Sequence, residues 1–168
     1  MTPEQNVHDD FLDFLKILND HQVEYLVIGG HAVGFHGRPR DTGDMDIVIK
    51  PTPENAARVV KAVAAFGAGG IGYTKEDYLS GDFIQFGVAP VRIDITAAFA
   101  GVDQAELWRD AVQGSLGGVP VKFPSKDCLL ENKRQAGRDK DLRDVEALDA
   151  GRTKKLPRSK DKDRGSKP

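Results

Sequence analysis

Two short segments constrain this chain more than any other feature: "DMDIVI" (44–49) and "VRIDIT" (91–96). Side chains of an extended strand alternate between its two faces. Met45, Ile47 and Ile49 therefore share one face, and Asp44 and Asp46 share the other. Val91, Ile93 and Ile95 likewise oppose Arg92, Asp94 and Thr96. Each strand needs helices over its apolar face, and as neighbours in one sheet the two would bring three carboxylates together. A third run, "DFIQFGV", ends immediately before Ala89-Pro90, which leaves room only for a hairpin into "VRIDIT". A parallel crossover needs a dozen or more residues. The expectation is an α/β (α+β) domain with a mixed β-sheet and helices packed mainly on one face, and not a doubly wound parallel sheet.

The remaining segments supply those helices. Phe11, Phe14, Leu15 and Leu18 recur at helical spacing, and "EYLVI" (24–28) reads as a strand stopped by Gly29-Gly30. A short helix is expected over His31–His36. Thr52-Pro53-Glu54 starts a helix that runs to about Phe66, with an N-cap, a proline at the first position and an early acid. Short helices are expected near Lys75–Leu79 and Asp103–Val112. "GGVPVKF" reads as a short strand, and Ser125 caps a long helical region broken at Gly137 and ending near Leu148.

At 168 residues the chain suits one domain, placed at 1–150. Residues 151–168 carry eight Lys/Arg and two Asp with a single leucine, a composition that predicts a basic, disordered tail. Such a tail suits phosphate contacts with RNA or simple solubilisation. No apolar run approaches the ~20 residues of a membrane span. The acidic N-terminus lacks a secretory n-region, so a cytoplasmic location is expected. The single cysteine, Cys128, excludes an internal disulfide, and the scattered histidines (8, 21, 31, 36) form no zinc set.

Three carboxylates in one cleft need a counter-charge. Two unit charges ~4 Å apart repel by roughly 4 kcal/mol at an effective dielectric of ~20. An all-oxygen set at Asp44, Asp46 and Asp94 suits a hard cation, Mg²⁺ first and Mn²⁺ second. Salt bridges from Arg38, Arg40 or Arg92 are the competing explanation, and both stay open at this point. Gly29-Gly30 closes a strand and opens a helix, where free backbone N–H groups and the helix dipole favour a phosphate. A dinucleotide-binding turn does not fit, because the glycines fall at 29, 30 and 34 rather than in G-x-G-x-x-G spacing.

Gly29-Gly30, thirteen intervening residues, Asp44-Met45-Asp46 and Asp94 in "RIDI" together resemble the nucleotidyltransferase superfamily that shares the polymerase β-like fold. The likeness is closest to its small single-domain bacterial members of the toxin–antitoxin type. The family's Arg-x-Thr before the acids is similar to Arg40 and Thr42, and its late Lys…Gly-Arg-x-Lys-Asp to Lys133, Arg138, Lys140 and Asp141. The resemblance covers about residues 22–149. It implies a nucleotidyltransferase-like fold and metal-dependent transfer of a nucleotide from an NTP, ATP among them, to an acceptor. That acceptor is a tRNA or other RNA end, a protein hydroxyl, or a small molecule such as an antibiotic. It further implies Asp44, Asp46 and Asp94 as catalytic metal ligands, with Gly29, Gly30, Arg40, Thr42, Lys133 and Arg138 on the nucleotide. A cognate toxin or antitoxin protein is the implied partner, with no membrane. A non-catalytic binding or antitoxin module is the alternative.

Overall fold

The computed structural model describes residues 7–37, 43–68, 72–88 and 91–155. Helix α1 (Asp9–Asp20) buries Phe11, Phe14, Leu15 and Leu18, the stripe its spacing predicts. It turns into β1 (Tyr25–Ile28), which runs directly into α2 (Gly29–Phe35). After residues 38–42 come β2 (Asp44–Ile49) and α3 (Pro53–Val63), where the Thr52 side chain accepts from the Asn55 N–H. Then follow α4 (Lys75–Leu79), β3 (Ile84–Val88), β4 (Val91–Thr96) and α5 (Gln104–Arg109). A hairpin of β5 (Val112–Leu116) and β6 (Val119–Phe123) leads to α6 (Lys126–Ala136) and α7 (Asp139–Lys155).

The main sheet has the order β1-β2-β4-β3. β2 and β4 are parallel, while β1 and β3 run antiparallel to their neighbours, so the sheet is mixed as its strand pattern requires. The Ala89-Pro90 turn itself lies outside the described residues. One face carries Met45, Ile47, Ile49, Ile93, Ile95, Ile84 and Phe86, buried against α1, α3 and Tyr78 of α4. On the opposite face a smaller cluster unites Leu26, Ile28 and Val48 with Phe99, Leu107 and Cys128. That cover ends where Asp46 and Asp94 begin, and the site lies there.

Two local features hold the frame. Asn55, fully buried, accepts from the Glu24 N–H at 2.8 Å and donates to the carbonyls of Glu24 (2.8 Å) and Lys50 (3.0 Å). It thereby ties α3 to the outer ends of β1 and β2. Strand β5 corrects the sequence reading, which extends the Asp103 helix to Val112 and has no strand over 112–116, whereas β6 falls on the expected strand "GGVPVKF" and pairs with β5 as a hairpin. Its turn is Gly117-Gly118, both at positive φ, and Gly114 lets the strand lie against the stacked rings of Phe35 and Phe123, 4.2 Å apart. A Cβ at Gly114 would come within 2.6 Å of the Phe35 ring. The last helix continues beyond Leu148 to Lys155. Among the described residues no helix is long and apolar enough to cross a membrane.

Candidate active site

The register of β2 on β4 sets Asp46 opposite Asp94 and Asp44 opposite Arg92. Alternation then puts all four side chains on one face, as the strand pattern predicts. Asp94 is buried (7% exposed), whereas Asp44 and Asp46 are half-buried. Arg92 leans between the acids, its Nε 3.7 Å from Asp44 Oδ2 and 3.8 Å from Asp94 Oδ1. Of the three competing arginines, this is the one the described residues show near the carboxylates. The oxygen Asp94 Oδ1 is buried and accepts no hydrogen bond among the described residues.

Gly29 completes the floor. Ile28 pairs with Asp46 across β1 and β2, so the first residue of α2 lies beside the Asp46 carboxylate. Gly29 adopts φ 70°, a left-handed conformation that costs any other L-residue about 1–2 kcal/mol. A Cβ here would also collide with Asp46 Oδ2. Two independent requirements, backbone sign and space, thus converge on glycine. Gly30 is buried in the first turn of α2, and His31 behind it packs edge-on to Phe11. Burial lowers the His31 pKa to about 4, so its ring is neutral at pH 7.

The electrostatics follow from crowding. Burial, a hydrogen bond shared with Asp94, and the charges of Asp94 and Asp44 push the Asp46 carboxyl up to about 7. The Asp46 carboxyl therefore keeps its proton well above the ordinary carboxylate range. Lys140 pulls Asp46 back toward ionisation, and Arg138 is raised chiefly by its hydrogen bond to Asp141 and the Asp141 charge, with the Asp46 charge a lesser contribution. Both cations belong to the junction between α6 and α7.

Lys133 has a different setting. It is buried, 3.3 Å from Asp141 Oδ1 and 3.1 Å from Asp144 Oδ2, rather than on the open carboxylate face. Arg38, Arg40 and Thr42 lie outside the described residues. The structure therefore unites Asp44, Asp46, Asp94 and Gly29, and brings the charges of Arg138 and Lys140 to bear on Asp46.

Comparison with solved structures gives the frame a relation. A candidate nucleotidyltransferase from Thermotoga maritima superposes with a TM-score of 0.56 at 14% identity, covering 89% of this chain and 97% of that one. The enzyme ANT(2'')-Ia, solved with adenylyl-2''-tobramycin, gives 0.55 at 14% identity over 88% and 91%. An antigenic nucleotidyltransferase-like protein from Paracoccidioides brasiliensis gives 0.51 at 18% identity over 87% and 77%. The chain has the nucleotidyltransferase fold. No protein-family model and no curated protein matches it.

Within the nucleotidyltransferase fold seen here, Lys140 is the residue to which sequence reasoning assigned no role. It matches the family's Gly-Arg-x-Lys-Asp run in the sequence, but that match alone carried no role for it. Cys128, by contrast, is buried beneath α5, as its apolar surroundings predict.

Proposed function

We propose that the chain transfers a nucleotidyl group from an NTP to an acceptor hydroxyl at the Asp44–Asp46–Asp94 face. The observation that carries this reading is the parallel register that sets Asp46 against Asp94 beside Gly29. A carboxyl held protonated toward neutrality by burial and neighbouring acids, as Asp46 is, is costly to build, and such perturbed groups mark working sites.

The reaction needs three events. An acceptor oxygen forms a bond to the α-phosphorus, the bond to the bridging oxygen breaks, and pyrophosphate leaves with its electron pair. The acceptor's proton passes to a carboxylate, and Asp94, whose Oδ1 has no hydrogen-bond donor among the described residues, is the acceptor of choice. The amides at the start of α2 lie beside Asp46 and suit the phosphates.

A divalent cation belongs to this proposal. Among the described residues no three His, Cys, Asp or Glu side chains already form a ready metal-binding group, and Arg92 offsets Asp44 and Asp94. The donor set still fits a hard ion: the side chains are oxygen-only, one oxygen is buried without a hydrogen bond among the described residues, and no Cβ crowds Asp46. Mg²⁺ or Mn²⁺ held by Asp44, Asp46 and Asp94 would activate the acceptor and neutralise the departing phosphates.

For the acceptor we favour an RNA end, because residues 151–168 carry eight Lys/Arg against two Asp. A small-molecule hydroxyl is the second reading, supported by the adenylylated tobramycin bound to one structural neighbour. The test is incubation with Mg²⁺, each α-labelled NTP and total RNA, beside an Asp44→Asn/Asp46→Asn variant. Label in RNA with the wild type alone supports the reading. Label on a protein moves the acceptor to a partner, as in a toxin–antitoxin pair. No label with RNA, protein or aminoglycoside sinks transfer in favour of a non-catalytic module.

A further inference from the structure

Helix α5 buries one large apolar residue and leaves the next in part to solvent. Leu107 is fully buried against Leu26, Ile28 and Val48. Trp108, the chain's only tryptophan, packs on the same cluster but stays half-buried. Its indole N–H donates to Gln104 Oε1 at 2.8 Å, and Gln104 Nε2 donates in turn to the Ala97 carbonyl at 3.3 Å. The ring is thus held in one orientation from just beyond the end of β4. Two cavities share it as a wall. One, of about 380 Å³, is also lined by Tyr25, Lys50 and Lys122. The other, of about 490 Å³, is also lined by Lys50 and Arg109. Lys50 and Arg109 meet Glu24 at 3.3 Å and Asp110 at 2.9 Å, exposed pairs that are weak and open to exchange for another anion. Lys122 is exposed on β6 and makes no ion pair among the described residues. Alternation carries the carboxylate row to this place: Asp44, Asp46, Val48 and Lys50 share one face, and the Lys50 amide still donates to the Glu24 carbonyl at 3.1 Å. At ~3.3 Å per residue, Lys50 stands about 13 Å beyond Asp46.

Resting on the nucleotidyl-transfer reading with an RNA acceptor, we propose that the groove around Trp108 binds a single-stranded part of that RNA, a base stacking on the indole while Lys50, Lys122 and Arg109 meet the phosphates. An aromatic platform ringed by cations complements the two halves of a nucleotide, its flat base and its charged backbone. Two adjoining cavities with a common wall suit consecutive units of a polymer better than one small molecule. A polymer can also span the distance from Lys50 and still present its end to the acids. Stacking accepts any base and cations follow the backbone, so a single strand is held without its sequence being read. Residues 151–168 offer charge alone, since they hold no aromatic side chain. Stacking therefore distinguishes the groove from that basic segment.

Because Trp108 is the sole tryptophan, its own fluorescence is the readout. The full chain is titrated with short single-stranded RNA of mixed sequence, and separately with inorganic polyphosphate and with free AMP. RNA should quench Trp108, with a midpoint that weakens as salt rises, whereas polyphosphate and AMP should leave the emission unchanged. By anisotropy of labelled RNA, Trp108→Leu and Lys122→Glu should each bind about tenfold more weakly, and Trp108→Phe should keep most of the affinity. Each variant is checked for wild-type circular dichroism, and Lys122→Glu, at an exposed position, keeps the test decisive if Trp108→Leu unfolds. RNA bound without quenching would assign it to the basic segment and overturn the proposal. So would equal quenching by polyphosphate, equal quenching by AMP, or wild-type RNA affinity in Lys122→Glu. If RNA accepts label, KM for RNA should rise in Trp108→Phe and Lys122→Glu while KM for the NTP holds. Quenching by RNA without transfer from any NTP would support the groove and count against the RNA-acceptor reading alone. Transfer to RNA without quenching would do the reverse.

Discussion

Asp46→Asn separates the electrostatic cost of the site from its chemistry. In the folded chain the Asp46 carboxyl titrates near 7 rather than 3.8, through burial and its neighbours Asp94 and Asp44. Because the folded pKa is raised, the associated stability is full below about pH 3.8 and is lost as pH rises through about 7. At ~1.4 kcal/mol per pKa unit, ionising Asp46 costs the fold up to about 4 kcal/mol above pH 8. Water at the half-open face trims this to about 2–4 kcal/mol. Asparagine reproduces the protonated acid, with an amide N–H in place of the Asp46 carboxyl proton. The variant should therefore match the wild type near pH 4 and exceed it by about 2–4 kcal/mol near pH 8.5, while transfer activity disappears. Urea unfolding at several pH values reads the difference directly, and groups common to both proteins cancel. Mg²⁺ should then stabilise the wild type and not the variant at high pH. An identical stability difference at both ends of the pH range, or a less stable variant near pH 8.5, would refute the crowded-carboxylate account.

Three further outcomes follow from separate parts of the fold. Gly29→Ala combines a left-handed φ with a collision at Asp46 Oδ2, so it should cost about 1–3 kcal/mol in urea and weaken binding of a fluorescent NTP analogue. His31, held neutral by burial with a pKa lowered to about 4, favours the fold above its unfolded value of 6.5 and penalises it as pH falls toward 4. The midpoint of acid unfolding, followed by circular dichroism, should move to lower pH in His31→Leu; an unmoved midpoint would place acid lability elsewhere. Asn55→Ala removes three hydrogen bonds at a fully buried position and should destabilise by about 2–4 kcal/mol in urea, with transfer per folded molecule unchanged.

The acids were legible because a strand's period of two assigns each side chain a face, whatever the rest of the chain does. Adjacency of β2 and β4 was the only tertiary fact still needed, and the Ala89-Pro90 spacing narrowed even that. Gly29 was legible as a break, but its collision with Asp46 depends on Ile28 pairing with Asp46, which no local rule supplies. Strand β5 stayed hidden for a related reason. "VQGSL" lacks β-branched density, and Gly114 is required by the rings of Phe35 and Phe123, which arrive from distant segments. Lys133 shows the limit most clearly. A lysine in a helix rich in Lys, Arg and Glu reads as a solvated or phosphate-facing charge, and only the return of α7 buries it between Asp141 and Asp144. Those acids do sit three apart on one helix face, beyond a glycine turn, as a buried ammonium would require. A lysine, a left-handed glycine and two acids spaced by one turn thus act as a hinge held by charge rather than as separate surface groups. Such a contact fixes the direction in which α7 leaves Gly137.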